Sequence, residues 1–132
     1  MRSLLSRFIA DEHVDTFLFR SGLALYLAVI ILGSIPGARD EISHVASGLV
    51  LHFATYSCIA FLLACGAAGN ATAKAFKAFC IVAVMGAIDE AIQSLLPYRD
   101  GAITDWMIDI SAALFTTLAF RMAAAGKAAT AS

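Results

Sequence analysis

Acidic side chains within two otherwise apolar segments are the feature of this chain that most directly indicates chemistry. Residues 86–113 include Asp89, Glu90, Asp105 and Asp109. A carboxylate at membrane depth costs several kcal/mol unless it faces a cavity or a partner, so ionisable residues there indicate a functional site by default. We therefore expect function to depend on this group of carboxylates.

The elements that must position these carboxylates are predicted to be membrane-spanning helices. The chain has 132 residues, of which 61% are hydrophobic and 14% charged, and its mean hydropathy is +0.84. Because about 20 apolar residues cross a bilayer, four segments reach spanning length. They are residues 17–35, 45–65, 75–96 and 102–121. Their short connections predict an all-α, integral membrane four-helix bundle with antiparallel neighbours.

The ends of the chain are assigned from charge and from packing signals. Residues 1–16 are predicted to form a cytoplasmic or interfacial segment, and residues 122–132 a disordered tail. Seven Lys and Arg residues lie in the N-terminal region, the second loop and the C-terminal end, against two in the other loops. This bias predicts that both termini are cytoplasmic. The net charge of −1 argues against nucleic acid as a partner.

Side chains from three of the predicted helices reach one depth. At about 1.5 Å per residue, His52, Glu90 and Asp109 lie roughly 10 Å below the outer surface. Residues three or four apart share one side of a helix, which places Glu90 with Gly86 and Gln93 on a side facing into the bundle. The sequence therefore predicts a ligand-binding pocket that opens outward. Its predicted residues are His52, Tyr56, Glu90, Gln93, Arg99, Asp105 and Asp109.

Two other interpretations of these polar residues stay open. Up to three carboxylates beside a histidine cannot all be ionised at low cost, and a divalent cation such as Mg²⁺, Ca²⁺ or Mn²⁺ would neutralise them. Its candidate ligands are His52, Glu90, Asp105 and Asp109. No HExxH spacing occurs, so no cofactor is predicted beyond that cation. Alternatively, Gln93 and Asp109 are interhelical hydrogen-bonding residues. Asp89 is predicted to lie on a different side of its helix from Glu90.

Over residues 44–120 the chain resembles the VanZ-like family, small membrane proteins named after a teicoplanin-resistance protein. The resemblance rests on E-x-x-Q followed by P-x-R and a downstream Asp, together with H-F-x-x-Y in the second helix. The matching residues are Glu90, Gln93, Pro97, Arg99, Asp105, His52, Phe53 and Tyr56. The resemblance implies a multi-pass protein of the bacterial inner membrane with a role in the cell envelope or in glycopeptide tolerance. Where the family usually has Asp-Lys ahead of the histidine, this chain has Gly48 and Leu49, which favours a divergent or repurposed member.

Three classes of function compete for the predicted pocket. The leading hypothesis is binding of an amphiphile, either an envelope lipid headgroup or a lipoglycopeptide, with Arg99 recognising its phosphate or carboxylate. The second is an intramembrane lipid-modifying enzyme, for which the catalytic candidates are Glu90, His52 and Asp105. The third is an accessory structural subunit of a larger membrane complex. Proton-coupled transport is a weaker fourth hypothesis.

Overall fold

The computed structural model describes residues 12–38, 41 and 46–130, with the backbone alone at 127–130. Within those ranges the chain forms four α-helices and no strand, which confirms the all-α prediction. The helices are α1 (Thr16–Gly33), α2 (Gly48–Gly66), α3 (Ala71–Ser94) and α4 (Ile103–Thr130). Most of the predicted interfacial segment, residues 1–11, lies outside the described residues.

Side-chain caps determine where three of the helices begin. Asp15, Ser47 and Asn70 each accept a hydrogen bond from the backbone N–H three residues later, in the first turn of α1, α2 and α3. These bonds satisfy backbone donors that a helix N-terminus leaves without partners. Gly69, with φ of 111°, turns the chain from α2 into α3 in a conformation that residues with a Cβ rarely adopt. The starts of these helices therefore follow from local sequence.

α2 contacts all three other helices, whereas α3 packs mainly on α4 and touches α1 only slightly. Small residues allow the backbones to approach. Gly66 at the end of α2 lies directly against Phe19 of α1, and Gly22 of α1 lies against Leu63 of α2. Close approach through small residues is typical of helices that associate in membranes. Fully buried alanines extend the same packing: Ala60, Ala64, Ala78, Ala112 and Ala113.

Three helical segments are long and apolar enough to cross a membrane: Thr16–Gly33, Gly48–Gly66 and Ile103–Gly126. α3 has 24 residues, which is sufficient length, but four of them are charged. Large apolar side chains are exposed on the outer faces of the helices, including Phe17, Ile31, Phe76, Phe115 and Met122. Apolar exposure on this scale is characteristic of a membrane-interacting surface. These features indicate a membrane protein, while a fourth span and cytoplasmic termini stay predictions.

α4 continues beyond its predicted end. The sequence predicts that this helix ends at Arg121, but it runs to Thr130, so residues 122–130 are helical and not disordered. The segment after Arg121 is rich in alanine, the residue with the highest helix propensity. Extending an existing helix costs far less than nucleating one. Ala124 also packs against the buried core, so helix propensity and this contact together favour a helix beyond Arg121.

Replacing Gly66 with Ala is expected to loosen the contact between α1 and α2. The added Cβ would lie 2.7 Å from Phe19 Cα and 2.9 Å from Phe19 Cβ, so the two helices must separate. Overpacking of this kind costs about 1–3 kcal/mol, and the thermal unfolding temperature in detergent should fall. Gly126→Ala is the matched control, because no atom lies within 4 Å of a Cβ at that helical position. Equal unfolding temperatures for the two variants would contradict the described contact.

Candidate functional site

Buried and half-buried polar side chains of α2, α3, α4 and the loop between α3 and α4 gather near the turn from α3 into α4. They form two sets on either side of His52, which contacts both. The cavity set consists of Tyr56, Asp89, Gln93 and Arg99, and the carboxylate set of Glu90, Asp105 and Asp109. The two sets have different hydrogen-bond partners, and therefore different chemical capabilities.

Asp89 is the centre of a hydrogen-bonded chain that joins α2 to α3. Its Oδ2 accepts a hydrogen bond from the Tyr56 hydroxyl at 2.8 Å, and its Oδ1 accepts one from Gln93 Nε2 at 2.9 Å. Gln93 Oε1 accepts in turn from Arg99 Nη2. Arg99 Nη1 donates to the backbone carbonyl of Gly33, at the end of α1, at 3.4 Å. This hydrogen-bonded chain therefore connects α1, α2, α3 and the loop between α3 and α4.

A cavity of about 220 Å³ lies beside this hydrogen-bonded chain. Part of its lining is apolar and comes from α1 and α2, where Val29, Leu32 and Leu51 contribute side chains. The polar part of the lining consists of His52, Thr55, Tyr56, Asp89, Gln93 and Arg99. Four of the seven predicted pocket residues therefore line the cavity. The three that do not are the carboxylate set, Glu90, Asp105 and Asp109.

The carboxylate set lies around the imidazole of His52. His52 Nδ1 is 2.9 Å from Asp109 Oδ1, and His52 Nε2 is 3.8 Å from Asp105 Oδ2. Glu90 Oε2 accepts a hydrogen bond from the backbone N–H of Ala102 at 2.6 Å, just before α4 begins. Ligand atoms of His52, Glu90 and Asp109 all lie within 4.8 Å of one another.

Two glycines allow α3 and the start of α4 to approach closely enough to form this set. A Cβ on Gly86 would lie 2.9 Å from Asp109 Oδ2 and 3.0 Å from Trp106 Cδ1. A Cβ on Gly101 would overlap the backbone carbonyl oxygen of Glu90. Larger residues at either position would push α4 away from α3. The positions of the carboxylates therefore depend on these two glycines.

Asp89 is buried and lines the cavity, although the sequence did not place it among the predicted pocket residues. The sequence predicts that it lies on a different side of α3 from Glu90, and it does: Asp89 faces Tyr56 of α2, whereas Glu90 faces Ala102. Gln93, which the sequence analysis groups with Glu90, bonds to Asp89 instead. At about 100° per residue, Gln93 lies roughly 40° around the helix from Asp89 and roughly 60° from Glu90. The spacing of four residues therefore favours Asp89 as the partner of Gln93 only slightly over Glu90.

Comparisons of the chain with protein-family models, with curated proteins and with solved structures give no match. The resemblance to the VanZ-like family therefore stays a prediction based on the motifs. Residues from both motifs lie at the same end of the bundle, where His52 and Tyr56 of one motif and Gln93 and Arg99 of the other line a single cavity.

Replacing Asp89 with Ala should destabilise the protein, because the Tyr56 hydroxyl and the Gln93 amide would be left without their acceptor. Each buried polar group without a partner costs about 1–3 kcal/mol, so the thermal unfolding temperature in detergent should fall. Asp100→Ala, which removes an exposed carboxylate from the neighbouring loop, is the control. The hydrogen-bonded chain would be disproved if both variants unfolded at the wild-type temperature.

Proposed function

We propose that the protein binds the anionic head of a membrane amphiphile in the cavity, either an envelope lipid or a lipoglycopeptide. The observation that carries the proposal is the division of the cavity lining into an apolar part and a polar part that includes Arg99. An amphiphile presents the same two kinds of surface side by side. A pocket lined in this way matches it, whereas a wholly polar or wholly apolar cavity would match only one part.

The guanidinium of Arg99 is the group expected to recognise the anion. Its Nη1 and Nη2 donate to Gly33 and Gln93, while its Nε is buried without a hydrogen-bond partner. Both carboxylate oxygens of Asp89 are bonded to Tyr56 and Gln93, and in the described part of the chain Arg99 forms no ion pair. A guanidinium without a counter-ion binds phosphate or carboxylate through charge-assisted hydrogen bonds. The cavity therefore favours an anion.

The size of the cavity restricts the part of the ligand that enters it. Small-molecule pockets usually occupy roughly 300–1,000 Å³, whereas this cavity occupies about 220 Å³. Such a volume accommodates a phosphate or carboxylate with a small polar group. Leu32 lines the cavity and is also exposed on the outside of α1, so the apolar lining is continuous with the surface that faces lipid. The apolar chain of the ligand would leave the cavity along this path.

The location proposed for the protein is the bacterial inner membrane, in keeping with the VanZ-like resemblance. In this arrangement α3 is the fourth span, both termini are cytoplasmic and the cavity opens to the outer face. Burial of Asp89 and Glu90 inside the bundle supports a spanning α3, because neighbouring helices shield these carboxylates from hydrocarbon. The proposed role is in the cell envelope or in tolerance of glycopeptides.

A second candidate function is an intramembrane enzyme that modifies the bound lipid. The observation that favours it is the position of His52, which lines the cavity and is held through Nδ1 by Asp109 at 2.9 Å. A carboxylate that orients an imidazole is a common arrangement around a general base. Turnover of a labelled envelope lipid by the purified protein, abolished by His52→Gln, would establish catalysis in place of simple binding.

Arg99→Met is expected to weaken binding of the amphiphile about tenfold or more, because it removes charge-assisted hydrogen bonds worth about 1.5–3 kcal/mol. Affinity would be measured separately for short-chain phosphatidylglycerol, teicoplanin and an uncharged diacylglycerol, with the protein in nanodiscs. The two anionic ligands distinguish a phosphate headgroup from a lipoglycopeptide. Arg121→Met, which removes an exposed arginine far along α4, is the matched control. Wild-type affinity of Arg99→Met for both anionic ligands would refute the proposal.

Reporter fusions are expected to show four spans with cytoplasmic termini. Because Lys and Arg accumulate on the cytoplasmic side, green fluorescent protein after Ser132 or in the loop at residues 67–70 should fluoresce. Alkaline phosphatase inserted at residues 97–101 should be active, since that loop is expected outside. The same reporter response in the two loops would mean that α3 does not cross the membrane.

A further inference from the structure

We propose that His52, Glu90 and Asp109 bind one divalent transition-metal ion, Mn²⁺ or Zn²⁺, between α2, α3 and α4. This inference goes beyond amphiphile binding and does not depend on it, because the two carboxylates do not line the cavity. It rests on the spacing of the ligand atoms, on two carboxylate oxygens that have no partner and on the balance of charge.

The spacing suits a single ion. One ligand atom from each of the three residues lies within 4.8 Å of the other two. Two ligands of one tetrahedral Zn²⁺ ion, each about 2.1 Å from it, lie roughly 3.4 Å apart. The three side chains, whose ligand atoms lie within 4.8 Å of one another, therefore need to close in by about 1.4 Å at most to coordinate a common ion. They come from three different helices, so the ion would join those helices at this end of the bundle.

Each of the two carboxylates is held by one oxygen and leaves the other without a partner. Asp109 Oδ1 is bonded to His52 and Glu90 Oε2 to Ala102, whereas Asp109 Oδ2 and Glu90 Oε1 are buried with no hydrogen-bond partner. Asp109 is completely buried and Glu90 is 9% exposed. Buried polar atoms without partners are rare in proteins, and a bound ion is one of the explanations for them. Both carboxylates are thus held in position with one oxygen available to a ligand.

Asp109 Oδ2 points toward the helix that carries Glu90. A Cβ on Gly86 of α3 would lie 2.9 Å from this oxygen, and Gly86 precedes Glu90 by four residues. Residues four apart lie on the same side of a helix. The oxygen without a partner is therefore directed at the face of α3 from which Glu90 extends, and the glycine leaves the space that its approach requires.

The balance of charge also favours a cation. Glu90, Asp105 and Asp109 lie together, and in the described residues the basic group that pairs with the two aspartates is His52. Even a protonated imidazole supplies only one positive charge. Several carboxylates in a low-dielectric site are stabilised when a divalent metal ion supplies additional positive charge. Asp105, at 3.8 Å from His52 Nε2, would add a further negative charge close to the ion.

The elements of the ligand atoms, nitrogen and oxygen, indicate which metal ion the site would bind. Mg²⁺ and Ca²⁺ prefer sites made of oxygen alone, whereas an imidazole nitrogen favours a transition metal. One imidazole with two carboxylates suits Mn²⁺ or Zn²⁺. Three protein ligands leave at least one coordination position for water or for an anionic group. The structure thus narrows the sequence-based prediction in two ways, because Asp105 is left out of the ligand set and Mg²⁺ and Ca²⁺ are disfavoured.

The test uses the full chain in nanodiscs after removal of metal with EDTA. Equilibrium dialysis against Zn²⁺ or Mn²⁺, followed by elemental analysis, should give one ion per chain. Glu90→Gln and Asp109→Asn should each reduce the affinity at least tenfold, since changes even around metal ligands cost about 10–100-fold. Asp100→Asn, in an exposed loop position, should retain wild-type affinity. Arg99→Met should also retain it, which separates this site from the proposed amphiphile site.

A measurement on the wild-type protein keeps the proposal testable if the variants do not fold. Bound Mn²⁺ should show electron spin-echo modulation from one imidazole nitrogen, because His52 is a ligand. Absence of that modulation, or of stoichiometric binding of either ion, would overturn the proposal. So would folded Glu90→Gln and Asp109→Asn variants that bind as tightly as Asp100→Asn, because the ions would then be bound elsewhere on the surface.

Discussion

Carboxylates buried among apolar helices must obtain hydrogen-bond donors or a counter-charge from the protein in place of water, and this requirement organises the polar side chains near the turn from α3 into α4. Asp89 meets it completely, since Tyr56 and Gln93 each donate to one of its oxygens. Glu90 and Asp109 meet it only in part, because one oxygen of each has no partner. The difference separates a carboxylate that holds the fold together from two that remain able to bind a ligand.

The same requirement explains why the guanidinium of Arg99 is available at the cavity without a carboxylate as its counter-ion. Asp89 is the nearest acid along the hydrogen-bonded chain, but its two oxygens are bonded to Tyr56 and Gln93, and Arg99 donates to the amide of Gln93 instead. The amide thus lies between the carboxylate and the guanidinium and keeps them from forming an ion pair. The cavity proposed to bind an anion and the carboxylates proposed to bind a cation consequently lie side by side, with His52 between them.

Much of the fold could be predicted from local signals. Three of the four predicted apolar segments begin and end within a few residues of the observed helices. Asp15 and Asn70 cap the first turns of α1 and α3, and Gly69 lies in the turn between α2 and α3. The end of α4 could not be predicted in this way, because the alanine-rich segment after Arg121 carries no large apolar side chain beyond Met122, yet it continues the helix with Ala124 packed against the core. Gln93 was harder to assign, since its spacing from both Asp89 and Glu90 is compatible with a shared side of α3.

The sequence by itself determined that the chain is helical, that it is suited to a membrane, and that acidic residues, a histidine and an arginine lie near one end of the helices. Hydropathy, capping and helical period are properties of neighbouring residues, so they are readable without coordinates. Only the tertiary structure decided which partners these side chains have: that Asp89 belongs to the cavity, and that Glu90 and Asp109 form a separate set. These pairings depend on the rotation and separation of whole helices, which close contacts at residues such as Gly86 and Gly101 determine across the bundle.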